Sequence, residues 1–221
     1  MELFSVEDVR FQSSTGIVVD GVSLSVEAGG VTGFMGRSGS GKSTLLKLVA
    51  GVLVPSGGRV LFHGRNIQEM SDSVNKVFRR RCGFVFQDSA LWANQTIMQN
   101  LELPLQSHFP RMDKAARVRR IREVCGVLGY EKNLFIRPID LSMGEQKLIA
   151  FARAFVMRPK VLFLDECTES LDEGSAAQIV ELVEKFIDNK GTVLYVSHNK
   201  AFMQRIGGTI FELEAGKLRT K

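Results

Sequence analysis

A chain of 221 residues that is 44% hydrophobic and 24% charged, with five prolines, is long enough for one α/β core and too apolar to be disordered. No apolar run reaches the roughly 18–20 residues that span a bilayer, and the N-terminus is acidic where a secretory signal is basic, so neither membrane crossing nor export is expected. The net charge of +5, partly gathered at Arg79, Arg80, Arg81, Arg117, Arg119, Arg120 and Arg122, suits solvated helix faces, an acidic partner surface such as anionic lipid headgroups, or nucleic acid.

Along the chain, short strand-length apolar segments alternate with stretches of helical period, the pattern of a parallel sheet wrapped by helices. Residues 22–26 alternate as a half-exposed strand, and residues 31–35 form a strand that runs into a glycine turn at Gly36. A helix over 42–50 stops at Gly51. Residues 59–63 and 83–86 read as strands, and residues 113–128 have helical spacing with many charges. From Ser142, the apolar positions Leu148, Ile149, Ala152, Phe155 and Val156 mark one helical face, which Pro159 ends. The continuous apolar runs 161–164 and 192–196 predict central strands buried on both faces. Residues 209–213 and 217–219 read as a hairpin about Glu214-Ala215-Gly216. Cys82, Cys125 and Cys167, odd in number and widely spread, fit neither a disulfide framework nor a zinc site and point to a reducing compartment. One domain over 1–221 is expected, with a helical subdomain at about 90–157.

Gly36-Arg37-Ser38-Gly39-Ser40-Gly41-Lys42-Ser43 satisfies the phosphate-binding loop pattern between a strand and a helix. Glycines let the backbone curl so that its N–H groups and the positive end of the helix dipole face an anion. Lys42 would reach the β- and γ-phosphates and the Ser43 hydroxyl a magnesium ion. Asp165 and Glu166 end a buried strand, at the edge where open α/β sheets bind ligands. Asp165 suits holding the metal, and Glu166 could take a proton from water. Gln87 and His198 also lie just past strand ends, so four polar sites on four strands would gather beside the phosphates. Ser142 and Glu145 make a capping-box pattern at a helix start. That accounts for the segment locally, although the same helix N-terminus could serve a second phosphate site.

Taken in order, these motifs resemble the ABC-family ATPases over essentially the whole chain. Gly36 to Thr44, Gln87, Leu141 to Gln146, Asp165-Glu166, Ser170-Leu171-Asp172 and His198 match that family's Walker A, Q-loop, signature, Walker B, D-loop and H-loop. The resemblance implies an α/β P-loop core with a mainly parallel sheet, an antiparallel N-terminal β portion and a helical subdomain. It also implies two ATP molecules sandwiched in a homodimer, each between the Walker A loop of one copy and the signature of the other, at Ser142, Gly144 and Glu145, with Asp172 nearby. Glu166 is then the catalytic base, His198 contacts the γ-phosphate, and Ser43, Gln87 and Asp165 hold magnesium. The segment after Gln87 touches a transmembrane permease. The chain is expected to be cytoplasmic and peripheral on the inner face of the membrane, with no nucleic-acid partner.

Three positions depart from the family pattern. Met143 stands at the first glycine of the signature, Cys167 at the usual proline, and neither tyrosine occupies the adenine-stacking position, for which Phe11 is the candidate. Residues 86–92 and 100–105 most resemble the ATPase of Mla/Mce-type phospholipid transport systems; the cell-division and lipoprotein-release ATPases are similar alternatives. About 100 residues without heptads separate Lys42 from Ser142, unlike the coiled-coil repair ATPases. A small P-loop kinase would have no use for a signature segment.

Overall fold

Two long, alternating apolar segments open the chain as β1 (Glu2–Ser13) and β2 (Gly16–Glu27), an antiparallel pair. In the computed structural model, which describes residues 1–219, they join β4 (Gly57–Phe62) and β5 (Arg65–Asn66) in a sheet ordered β2-β1-β4-β5. A second sheet contains β3 (Val31–Met35), β6 (Cys82–Val85), β7 (Val161–Asp165), β8 (Thr192–Val196), β9 (Thr209–Glu214) and β10 (Lys217–Leu218). Its order is β10-β9-β3-β8-β7-β6, parallel except for the terminal hairpin. The last strand ends at Leu218, one residue short of the expected hairpin limit.

Both apolar runs expected at the centre are there, with every residue of β7 and β8 buried. Strand alternation divides their side chains between two cores. Phe163, Leu194 and Val196 face the antiparallel sheet and helix α1 (Lys42–Val49), whereas Leu162, Leu164, Val193 and Tyr195 lie in the core shared with the helices between residues 97 and 206. Phe4 of β1 meets Phe163 of β7 at a centroid distance of 5.8 Å, joining the two sheets, and its same-sheet neighbour Phe62 at 5.1 Å. Full burial of each such ring contributes about 1.5–3 kcal/mol.

Helix α2 (Asp72–Arg81) precedes β6. The helices α3 (Ile97–His108), α4 (Lys114–Val127) and α5 (Met143–Phe155) then pack on one another as the helical subdomain, and α6 (Glu173–Asp188) and α7 (Lys200–Ile206) flank β8. Thr96, Asp113, Ser142 and Asp172 cap α3, α4, α5 and α6 with side-chain oxygens, satisfying amides that each helix start leaves free. Several of the clustered arginines have local partners: Arg117 pairs with Glu102 at 2.8 Å, and Arg80 and Arg120 each lie 5.4 Å from the Phe109 ring centre. No helix among the described residues is long and apolar enough to cross a membrane.

Candidate nucleotide site

The loop between β3 and α1 folds as it does because its glycines are required. Gly36 has φ +145° and Gly41 φ +98°; a Cβ on Gly36 would lie 2.1 Å from the Leu213 carbonyl oxygen, and one on Gly41 2.5 Å from that of Val18. The hydroxyl Oγ of Ser40 is buried with no hydrogen-bond partner among the described residues. Lys42 is 5% exposed and donates from Nζ to the carbonyl oxygens of Gly36 (2.9 Å) and Arg37 (2.8 Å). Burial lowers its pKa, and Glu166 and Asp165 oppose that shift. A desolvated ammonium at the cleft wall, resting only on carbonyls, fits a site built for an anion, whereas Ser40 is buried and does not line the cleft.

At the end of β7, Asp165 accepts from Ser43 Oγ at 2.6 Å and lies 3.6 Å from Lys47 Nζ. Glu166 turns the chain with φ +45°, a left-handed conformation that costs about 1–2 kcal/mol. Its carboxylate accepts from the backbone N–H of His198 at 3.1 Å, and its Oε1 lies 3.4 Å from His198 Nε2. Burial raises the carboxyl above its ordinary value, partly offset by the His198 amide bond. Gln87 Nε2 donates to Glu169 Oε2. Together Ser38, Gly39, Gly41, Lys42, Ser43, Thr44, Gln87, Glu166, Glu169 and His198, with Val18, line a cleft of about 270 Å³.

Other expected site residues lie elsewhere in this chain. Phe11 is half-buried on β1 opposite Val19, beside the cleft-lining Val18, but does not line the cleft itself. Ser142 and Glu145 form a reciprocal capping box at the start of α5, with Lys132 Nζ 2.5 Å from Glu145 Oε1. Lys132 holds the Glu145 carboxyl below the usual range. Gly144 packs so tightly on α6 that a Cβ would sit 2.5 Å from Ser175 Oγ. Asp172 accepts from Ser175 N (2.9 Å) and Oγ (2.7 Å). Met143 projects outward, 61% exposed. None of these five lines the cleft of its own chain.

Sequence reasoning missed Glu169 and Lys147. Lys147, 2% exposed, donates from α5 to the carbonyl oxygens of Phe86 (3.1 Å) and Gln87 (2.6 Å). Six residues along the same helix, Arg153 donates to those of Ser89 (2.8 Å) and Ala90 (2.5 Å), which both have positive φ. The only sequence signal was a cation on an otherwise apolar helical stretch.

The hard oxygen donors Ser43 Oγ, Asp165 and Gln87 Oε1 suit magnesium, which is commonly bound by one or two carboxylates plus substrate phosphates rather than by an all-protein cage.

The profile of a family described as "ABC transporter" matches residues 19–169. The methionine import ATP-binding protein MetN of Brucella abortus (strain 2308) is 34% identical over 215 residues, 97% of this chain and 58% of that protein. Its namesake in Cutibacterium acnes is 31% identical over 214 residues, 96% of this chain and 58% of that one. The chain thus spans 58% of the length of these relatives. Among solved structures, the dimeric post-hydrolysis state of the ATP-binding cassette MJ0796 bound to ADP and Pi superposes with a TM-score of 0.90 at 28% identity, covering 99% of this chain and 97% of that one. CbiO1 of Clostridium perfringens, part of the ABC transporter complex CbiONQ, superposes with 0.81 at 27% identity, covering 99% and 87%.

Proposed function

This chain belongs to the ABC transporter family, and on that premise we propose that it binds and hydrolyses ATP to power a separate membrane permease from the cytoplasmic side. The observation that carries the reading is the meeting of Ser38, Gly39, residues 41–44, Gln87, Glu166 and His198 in one cleft, with Ser43 hydrogen-bonded to Asp165 at its base. Main-chain amides at the start of α1 cradle the phosphates. Lys42, exchanging its two carbonyl partners for phosphate oxygens, neutralises the β- and γ-groups. Ser43, Asp165 and Gln87 are the residues that would hold magnesium, which when bound would neutralise charge on the phosphate oxygens.

Glu166 accepts a proton from water as the water oxygen bonds to the γ-phosphorus and the bond to the β-phosphate oxygen breaks, leaving ADP and phosphate. Its upward-shifted pKa brings the base closer to neutral pH, where proton transfer is better matched. His198, beside Glu166 Oε1, is placed to contact the γ-phosphate. Ser142, Gly144, Glu145 and Asp172 lie outside this cleft and serve the nucleotide of a second copy in the homodimer, where the solved MJ0796 structures are also dimeric. Phe11, next to the cleft wall, stacks on adenine.

The phospholipid cargo rests on residues 86–92 and 100–105 alone. The relatives' names favour a second reading, methionine import. Copurifying the permease from membranes and assaying its transport with each cargo separates the two. For the nucleotide reading, equilibrium titration with a fluorescent ATP analogue should show binding by the parent and its loss in Lys42→Ala. Parental affinity in that variant overturns the assignment of the loop.

A further inference from the structure

Glu169 lines the cleft three residues beyond Glu166 and accepts from Gln87 Nε2. An ionised carboxylate can only accept hydrogen bonds, so it can bind a glutamine side chain only through the amide nitrogen. A free carboxamide can present either end, and the two differ by a half-turn about one bond. Glu169 removes that freedom. It engages the donor end of Gln87 and leaves Oε1 as the open acceptor; no hydrogen bond among the described residues occupies that atom.

We propose that Glu169 is a positioning residue for the divalent cation: it fixes the Gln87 carboxamide with Oε1 available as a ligand and adds a negative charge beside the cation. This rests on the reading of the cleft as a nucleotide–magnesium site. Two further observations agree with it. Glu169 and Gln87 come from different strand ends, so the bond ties together the two loops that carry Gln87 and the Asp165–Glu166 pair. The charge of Glu169 also reaches the cleft, since Glu169 lines it together with Lys42, Ser43 and Glu166.

The same charge repels phosphate when no cation is present, so the inference predicts opposite effects on nucleotide and metal. The intact chain and the variants Glu169→Ala and Glu169→Gln are titrated with adenylyl imidodiphosphate in the absence of metal. They are then titrated with Mn2+ in its presence, with bound Mn2+ read by electron paramagnetic resonance. Glu169→Ala should bind the analogue without metal as tightly as the parent, or more tightly. It should take up Mn2+ about 10- to 100-fold more weakly, the usual loss when a group that orients a metal ligand is removed. Glu169→Gln keeps an acceptor for Gln87 Nε2 but no charge, and should fall between. Parental Mn2+ affinity in Glu169→Ala overturns the inference. So does an equal weakening of analogue and Mn2+, which would mean only a loosened cleft. A parent chain that binds no analogue brings down the nucleotide reading itself.

Discussion

Replacing Glu166 by Gln separates holding ATP from hydrolysing it. The residue is 8% exposed, and its carboxylate takes the backbone N–H of His198 at 3.1 Å with Nε2 of the same histidine 3.4 Å from Oε1. Glutamine is isosteric. Its oxygen can accept from His198 N, and its amide nitrogen can donate to a neutral imidazole, so the local packing survives. What disappears is the site that takes the proton. A positioned base contributes about 10²- to 10⁴-fold, so phosphate release should fall by that factor, equal to about 3–5 kcal/mol on the barrier. Affinity for ATP should hold or rise, because one negative charge facing the phosphates is gone, and the ATP-bound dimer should accumulate on size-exclusion chromatography.

Burial supplies a second readout for the same variant. Desolvation lifts the folded-state pKa of Glu166 above its ordinary value of 4.5. Above pH ~4.5 the folded chain therefore holds this proton longer than the unfolded chain does. Stability from this group is full below that pH and is lost as pH rises through the folded-state pKa. The glutamine variant never ionises there, so it should melt higher than the parent at pH 7 by calorimetry. Parental hydrolysis in a variant that binds ATP would remove Glu166 from proton transfer, and a lower melting temperature at pH 7 would refute the burial argument.

Gly36→Ala forces a Cβ to within 2.1 Å of the Leu213 carbonyl at φ +145°; it should abolish binding in the nucleotide titration and lower stability by at least about 1–3 kcal/mol by denaturant unfolding. Burial pushes the Cys125 thiol up to about 11 and the Cys167 thiol to about 12. At pH 8 both should therefore resist a thiol-specific reagent in the native chain and react once it is denatured, as peptide mapping would show. Met143→Gly trims an exposed side chain from the proposed dimer face and should raise steady-state turnover; a fall or no change would show that the position is already compensated.

The P-loop and the central strands were legible because each depends on local rules. Glycines at 36, 39 and 41 mark a turn between an apolar strand and a helix, and uninterrupted apolar runs mark strands covered on both faces. β1 was less legible because its alternation is broken by register shifts between Val6, Val9 and Phe11 and by the positive φ of Asp8, so the period of two does not persist. α3 contains Pro104, which ordinarily argues against a helix interior. Lys147 and Glu169 were missed for another reason: their partners lie 60 and 82 positions away in the chain, and no local spacing encodes such a meeting.

Four carbonyl groups of the loop 86–90 are held by two cations on a single helix. Because both cations stand on α5, the four bonds form and break in concert, and at about 1.5–3 kcal/mol each for charged donors they outweigh the local strain of about 1–2 kcal/mol at each of Ser89 and Ala90. The loop therefore has little flexibility of its own. It opens when the helical layer undocks, and its backbone amides should exchange with solvent at the pace of that layer.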